Sequence, residues 1–173
     1  MKKKTIVLDT SALIAGFDPM TNSGKQYTVS EVMEELNSES MPWIRAKAAS
    51  EKGIIEILKP EDTFLQRIVD MSKKVGDFKN LSEADMKVLA LALELKNKGL
   101  TPLIITDDYS IQNVANKIDI EFTSLITFGI KFRFNWIMYC PACFRKYPPD
   151  YNSQICNTCG TKLKRKPKKK IRL

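Results

Sequence analysis

At 173 residues the chain is long enough for one ordinary domain and a small appendage. Its 28 basic and 20 acidic side chains give a net charge of +8, and eight of the basic ones fall in the closing thirteen residues, TKLKRKPKKKIRL, which hold no acid. A near-neutral body thus ends in a cationic tail suited to a polyanion, nucleic acid before membrane, while the absence of histidine excludes Ser-His-Asp and Cys-His triads and every His-ligated metal.

TIVLD (5–9) is a continuous apolar run ending in an acid, the pattern of a buried parallel strand. A helix is predicted over 11–17, stopped by Asp18-Pro19, and a second strand at 26–30 runs straight into a helix over 31–36. Residues 43–52 read as a helix, 54–59 (IIEILK) as a third strand and 62–75 as an amphipathic helix. The clearest helix spans 82–98 with Gly99 behind it; apolar almost all round, it is predicted to lie buried between other elements. PLIITDD (102–108) is a strand ending in acids, 109–117 a helix, and EFTSL (121–125) the last core strand. Alternating strands and helices predict an α/β domain over 1–129, with a central parallel sheet flanked by helices. Residues 130–138 (IKFRFNWIM) alternate as a half-buried connecting strand. The four cysteines occupy 139–161, and 162–173, dense in lysine and broken by Pro167, is predicted to stay disordered until bound.

Cys140-Pro-Ala-Cys143 and Cys156-Asn-Thr-Cys159 form two C-x-x-C knuckles twelve residues apart, the pattern of a structural four-thiolate zinc site. Two disulfides or redox pairs fit poorly: no run reaches the roughly 18 apolar residues of a spanning helix, and Asp9 breaks the only signal-like stretch. A cytoplasmic chain is expected, where disulfides are disfavoured. Phe144, Arg145, Lys146, Tyr147 and Tyr151 lie between the knuckles. Those aromatics either stack on bases or shield the zinc.

Acids cluster where strands end. Asp9 follows the first strand and Asp107 and Asp108 the fourth; ligand sites of open parallel sheets lie outside such ends. Asp85 sits in the first turn of the 82–98 helix, and Glu31, Glu34 and Glu35 in the helix after the second strand. Each has a structural alternative: Asp85, three residues after Ser82, fits a capping box, Asp107 or Asp108 fits a helix cap, and the glutamates fit a solvated face. Crowded carboxylates repel unless a hard cation joins them, and Mg²⁺ or Mn²⁺ suits a few carboxylates facing a phosphate.

LDTSALI (8–14), VSEVMEEL (29–36), LSEADMKVLALALEL (81–95) and ITDDYSIQNVA (105–115), followed by a four-cysteine ribbon, resemble the PIN-domain endoribonucleases, and among them the archaeal Nob-one endoribonucleases of small-subunit rRNA maturation. The resemblance covers nearly the whole chain except the tail. It implies catalytic acids at Asp9, Glu35, Asp85 and Asp108, with Asp9, Asp85 and Asp108 holding one or two Mg²⁺ or Mn²⁺ ions. Glu31 and Glu34 remain alternatives for the second acid. Thr10, Ser11, Thr106 and Asp107 would support the site. The implied chemistry is metal-dependent hydrolysis of a phosphodiester in precursor small-subunit rRNA, leaving a 3′ hydroxyl. RNA docking would fall to the ribbon and basic surfaces, through Lys131, Arg133, Arg145, Lys146, Lys164 and Arg165. The rivals are a non-catalytic RNA-binding ribosome-assembly factor of the same fold and a toxin-type PIN ribonuclease. Ribosome-assembly proteins are the expected partners, with no membrane.

Overall fold

The computed structural model describes residues 4–22, 24–126 and 132–172, with 132–134 and 169–172 described through their backbone alone. Five short strands, β1 (Thr5–Leu8), β2 (Gln26–Thr28), β3 (Ile55–Ile57), β4 (Pro102–Ile105) and β5 (Glu121–Thr123), form one sheet in the order β3-β2-β1-β4-β5. Every pairing in it is parallel. The expected α/β architecture is therefore present, with strands shorter than the apolar runs that announced them. The chain builds outward from β1 through β2 to β3, then returns to the other side of β1 with β4. The order reverses between β1 and β4, and at such a reversal a crevice opens outside the strands' carboxyl ends.

Among the described residues six α-helices cover the sheet: α1 (Thr10–Ile14), α2 (Ser30–Glu35), α3 (Met41–Glu51), α4 (Asp62–Val75), α5 (Glu83–Asn97) and α6 (Tyr109–Lys117). α5 is buried on most sides, from Val88 through Leu93 and at Leu95, which explains its nearly uniform apolar sequence. α1 ends at Ile14, short of the predicted 17. Ala15 and Gly16 turn the chain back, and Phe17 N–H bonds the Ala12 carbonyl. Among the described residues no helix is long and apolar enough to cross a membrane.

A second sheet, in the order β7-β6-β8, is antiparallel: β6 (Phe132–Tyr139) lies between β7 (Lys146–Tyr147) and β8 (Lys164–Arg172). β8 corrects the expectation of a disordered tail. Main-chain pairing with β6 needs no apolar side chains, and a lysine-rich strand suits a sheet edge. Pro167, the apparent breaker, stands opposite Trp136 beside the register shift between Asn135 and Trp136, where a missing amide is tolerated. Leu163, just ahead of β8, is buried with Cys140, Cys156 and Tyr147 in a small second core.

The two sheets meet at Gly76, which ends α4 with φ +83°. A Cβ there would stand 2.8 Å from Trp136 Cβ and 2.9 Å from Pro149 Cβ, so glycine is required both by the turn and by the approach. Next to it Asp77, 3% exposed, accepts hydrogen bonds from Arg165 of β8 and Asn113 of α6. The Arg165 guanidinium also lies 4.1 Å from the centre of the Trp136 ring.

Candidate active site and metal centre

The carboxyl ends of β1 and β4 place Asp9 and the run Thr106-Asp107-Asp108 side by side. Asp9 is only 2% exposed. Its Oδ2 accepts from the Ser11 hydroxyl at 2.6 Å, the Thr106 hydroxyl at 2.8 Å and the Ser11 amide at 3.4 Å. Asp9 Oδ1 is buried with no hydrogen-bond partner among the described residues. Burial raises the Asp9 pKa, opposed by those hydroxyl and amide donors.

Asp85 and Asp108 repeat the arrangement at two other helix starts. Asp85 Oδ2 accepts the Ser82 amide at 2.7 Å, while the Ser82 hydroxyl accepts the Asp85 amide at 3.1 Å, a reciprocal capping box on α5. Asp108 Oδ1 caps α6, accepting the Ser110 amide at 2.5 Å and the Ile111 amide at 3.3 Å. In all three aspartates one oxygen is fixed by donors and the other is left over. The capping and site readings of these acids are therefore the same geometry: the cap aims the second oxygen, and the positive end of the helix favours its charge.

Electrostatics joins the three. Asp85 is pushed up to about 6, first by burial and then, against the favourable Ser82 amide, by the charges of Asp9 and Asp108. Glu35 completes the group: its Oε2 accepts the Thr10 hydroxyl at 2.5 Å and its Oε1 the Ser82 hydroxyl at 3.1 Å. Glu31 lies instead in an ion pair with Lys87 at 2.6 Å, which also holds Glu83. Glu34 is exposed, without a bond to the other acids. Of the three glutamates only Glu35 is bonded to the residues that begin the helices at Asp9 and Asp85, Thr10 and Ser82.

The supporting residues separate by role. Ser11 passes the Asp107 amide's bond on to Asp9, accepting at 2.9 Å and donating at 2.6 Å. Asp107 Oδ1 accepts the Ile126 amide at 3.1 Å, which steadies the loop. Ser82, bridging Glu35 and α5, belongs with the site although the sequence reading left it out; the L-S-x-x-D capping pattern was its available signal.

These residues fit a divalent ion. A buried Asp9 oxygen without a donor among the described residues, beside Asp85, whose pKa the charges of Asp9 and Asp108 help to raise, is an arrangement that a bound cation stabilises. Among the described residues the four cysteine sulfurs are the only group of three or more candidate ligand atoms all within 4.8 Å. The carboxylates stand wider, so an ion among them would be shared through water, as Mg²⁺ prefers.

The cysteines form a cage of another kind. Cys140 and Cys159 sulfurs lie 3.4 Å apart and Cys143 and Cys156 sulfurs 3.5 Å apart, with all four free of disulfides. Sulfurs around a tetrahedral zinc stand about 3.8 Å apart, close to these spacings and far from a bond between sulfurs. The two knuckles are near copies. Phe144 N–H bonds the Cys140 carbonyl and Gly160 N–H the Cys156 carbonyl, each at 3.0 Å, with φ of +59° and +70° at those two residues. The Tyr147 hydroxyl above all lowers Cys156 to about 5, whereas Cys143, despite a favourable backbone bond at Arg145, is pushed up to about 11 by desolvation and its neighbouring thiols. Four thiols this close cannot all ionise without a metal.

Tyr147 is buried and stacks on Tyr151 with centroids 4.5 Å apart, so these rings shield the cage; Phe144 stays 74% exposed. Arg145, Lys146 and Lys164 are exposed. Arg165, half-buried, is held by Asp77 and by the Trp136 ring at the junction of the sheets. Lys131 and the Arg133 side chain lie outside the described residues.

Known proteins match this arrangement. A family model described as the PIN domain of ribonuclease matches residues 6–95. The chain is 40% identical to an Endoribonuclease Nob1 of Methanocaldococcus jannaschii over 94% of this chain and 78% of that protein. It is 37% identical to the Endoribonuclease Nob1 of Methanothermobacter thermautotrophicus over 96% and 93%. The 20S-pre-rRNA D-site endonuclease nob1 of Schizosaccharomyces pombe is 30% identical over 53% of this chain and 23% of its own length. With the PIN match running from β1 through β3 into α5 and archaeal relatives covering more than nine tenths of the chain, the chain belongs to the Nob1 family of PIN-domain endoribonucleases.

Proposed function

We propose that this chain is a divalent-metal-dependent endoribonuclease that hydrolyses a phosphodiester in precursor small-subunit rRNA, at the 3′ end of the mature sequence, in the cytoplasm. The observation that carries the reading is the convergence of Asp9, Asp85 and Asp108 around a buried Asp9 oxygen with no donor of its own. The substrate assignment leans on the S. pombe relative, whose name specifies a pre-rRNA site.

Mg²⁺ or Mn²⁺ bound by these acids would supply charge for the phosphate and acidify a coordinated water. The rest is work for the chain's own groups. Ser11 and Thr106 hold Asp9 Oδ2, which keeps the carboxylate from turning and presents Oδ1. The caps on α5 and α6 do the same for Asp85 and Asp108. Glu35, steadied by Thr10 and Ser82, would serve as proton acceptor or water-orienting group. Zinc in the cysteine cage would be structural, since four thiolates leave no open position. Its exposed Arg145, Lys146 and Phe144 would dock RNA by phosphate contacts and stacking, leaving cleavage position to docking rather than to base reading at the acids.

The test is direct: an RNA spanning the 3′ end of precursor small-subunit rRNA is incubated with the intact protein in manganese, in EDTA, and as Asp9→Asn. Manganese-dependent cutting at one position, lost in the other two arms, supports the reading. Cutting that survives Asp9→Asn refutes it, and specific binding with no cutting in any arm favours an assembly factor.

A further inference from the structure

A cleft of about 240 Å³ opens where the two sheets meet. One wall is the turn after α4, with Phe78, Lys79 and Asn80; the other is β6 with Trp136 and Met138, and Pro149 closes one side. None of these residues belongs to the acid pocket or the cysteine cage. The space is smaller than the roughly 300–1,000 Å³ of sites for whole small ligands, and suits a single flat ring system. We propose that this cleft is a subsite for one unpaired nucleobase of the RNA strand, held beside the cleavage site.

Four observations favour a base over an aliphatic protein side chain. The walls are mainly apolar and include two aromatic side chains, Phe78 and Trp136, the surface on which bases of any sequence stack. The lining carries Lys73 and Lys79 against one acid, Asp150, and the adjoining edge strand β8 belongs to the segment with eight basic residues in thirteen, so a backbone phosphate leaving the cleft meets an excess of positive charge. Asn80 and Asn152 supply both donor and acceptor groups of the kind that meet base edges. Arg165, also lining the cleft, has a buried Nε with no acceptor among the described residues, a donor that a base carbonyl would satisfy.

Position ties the cleft to the chemistry. Phe78–Asn80 is followed at once by Leu81 and by Ser82, which bonds Glu35 and caps the helix of Asp85. Behind the cleft, Asp77 holds Asn113 on α6, the helix capped by Asp108. A base seated here therefore lies against the turn that leads into the helix of Asp85, and Asp77 beside that turn links it to α6. The proposal rests on the ribonuclease reading for its ligand, but it concerns binding and is tested without turnover.

Trp136 is one of two tryptophans, so Trp43→Phe makes it the sole reporter, and Asp9→Asn prevents cutting. The zinc-loaded full chain with both changes is titrated with a short unstructured RNA, then with copies carrying one abasic nucleotide moved along the strand. Expected are quenching of Trp136 by the intact RNA and, at one abasic position only, loss of the quench with about ten-fold weaker binding. Binding by anisotropy with no change in Trp136 emission, or a quench indifferent to every abasic position, overturns the proposal and leaves the cleft to a protein side chain. Should Trp43→Phe fail to fold, 4-thiouridine crosslinking to the chain with Trp43 intact decides: adducts on 132–139 or 78–80 support the subsite, and adducts confined to the cage overturn it. Loss of cutting in the functional assay with quenching intact would sink the nuclease reading alone.

Discussion

The Thr106 hydroxyl donates to Asp9 Oδ2 at 2.8 Å, tying the end of β4 to the end of β1 across 97 residues of chain. The Thr106 hydroxyl oxygen in turn accepts the Asp108 amide at 3.0 Å, so one hydroxyl orients two of the three aspartates. Thr106→Val keeps the shape and removes both bonds. Hydrogen bonds to charged groups are worth about 1.5–3 kcal/mol, so kcat is expected to fall roughly ten- to hundred-fold with little change in RNA affinity. Single-turnover cleavage beside a binding titration measures both, and an unchanged kcat would remove Thr106 from the site.

Asp85 predicts a pH dependence. Its folded pKa of about 6 stands above the usual 3.8, so between those values the folded state binds more protons than the unfolded one. The metal-free protein is therefore expected to lose stability as pH rises from about 4 to about 6, and to level off above. Bound Mn²⁺ should flatten the curve by favouring the carboxylate, and Asp85→Asn, which can still accept the Ser82 amide, should lack that part of the slope. Melting temperatures across this range, with and without Mn²⁺, are the measurement. A slope of the opposite sign in the metal-free protein would mean that Asp85 is not held among like charges.

Sequence made the sheet and the aspartates visible for one physical reason. Buried parallel strands are apolar throughout, so an acid closing such a run is conspicuous, as Asp9 is after TIVL. The cysteine spacing was equally plain. What stayed hidden was tertiary. Nothing in TKLKRKPKKKIRL announces a strand, because β8 takes its place from main-chain pairing with β6 rather than from its own side chains. Arg165 looked like one more tail cation, and only its partner Asp77, 88 residues earlier, shows otherwise. The pairing of Glu31 with Lys87, which bears on the choice among Glu31, Glu34 and Glu35, was likewise invisible in the sequence.

That choice is testable by charge removal. Glu35→Gln, which loses a carboxylate held by Thr10 and Ser82, is expected to slow cleavage at least about ten-fold, in the range of a lost general base or orienting group. Glu31→Gln should change cleavage less than about two-fold and lower the melting temperature slightly, since its pair with Lys87 is only partly exposed. Reversed magnitudes would reassign the second acid.

Metal removal separates the two sheets. A chelator strong enough to empty the cysteine cage, or Cys156→Ser, is expected to release one zinc per chain and unfold the small core of Cys140, Tyr147, Cys156 and Leu163, which has little else to hold it. The parallel sheet has its own core and should melt in a separate, later transition. Calorimetry beside zinc analysis reads both events. A single transition at both metal contents would show that the cage contributes nothing to the fold.

Arg145 and Arg165 should respond oppositely to alanine. Arg145 is exposed, so Arg145→Ala is expected to weaken RNA binding, lower the salt dependence by about one phosphate contact and leave the melting temperature unchanged. Arg165→Ala strands Asp77, whose side chain is 4% exposed, without its cation. Breaking a fully buried pair costs about 3–5 kcal/mol. With the Arg165 side chain 28% exposed, about 2 kcal/mol is a better scale, or roughly 5 °C for a chain of this length. Asn113 remains to hold Asp77, which keeps the junction formed while loosening it. A melting curve unmoved by Arg165→Ala would mean that the pair with Asp77 contributes nothing to the junction.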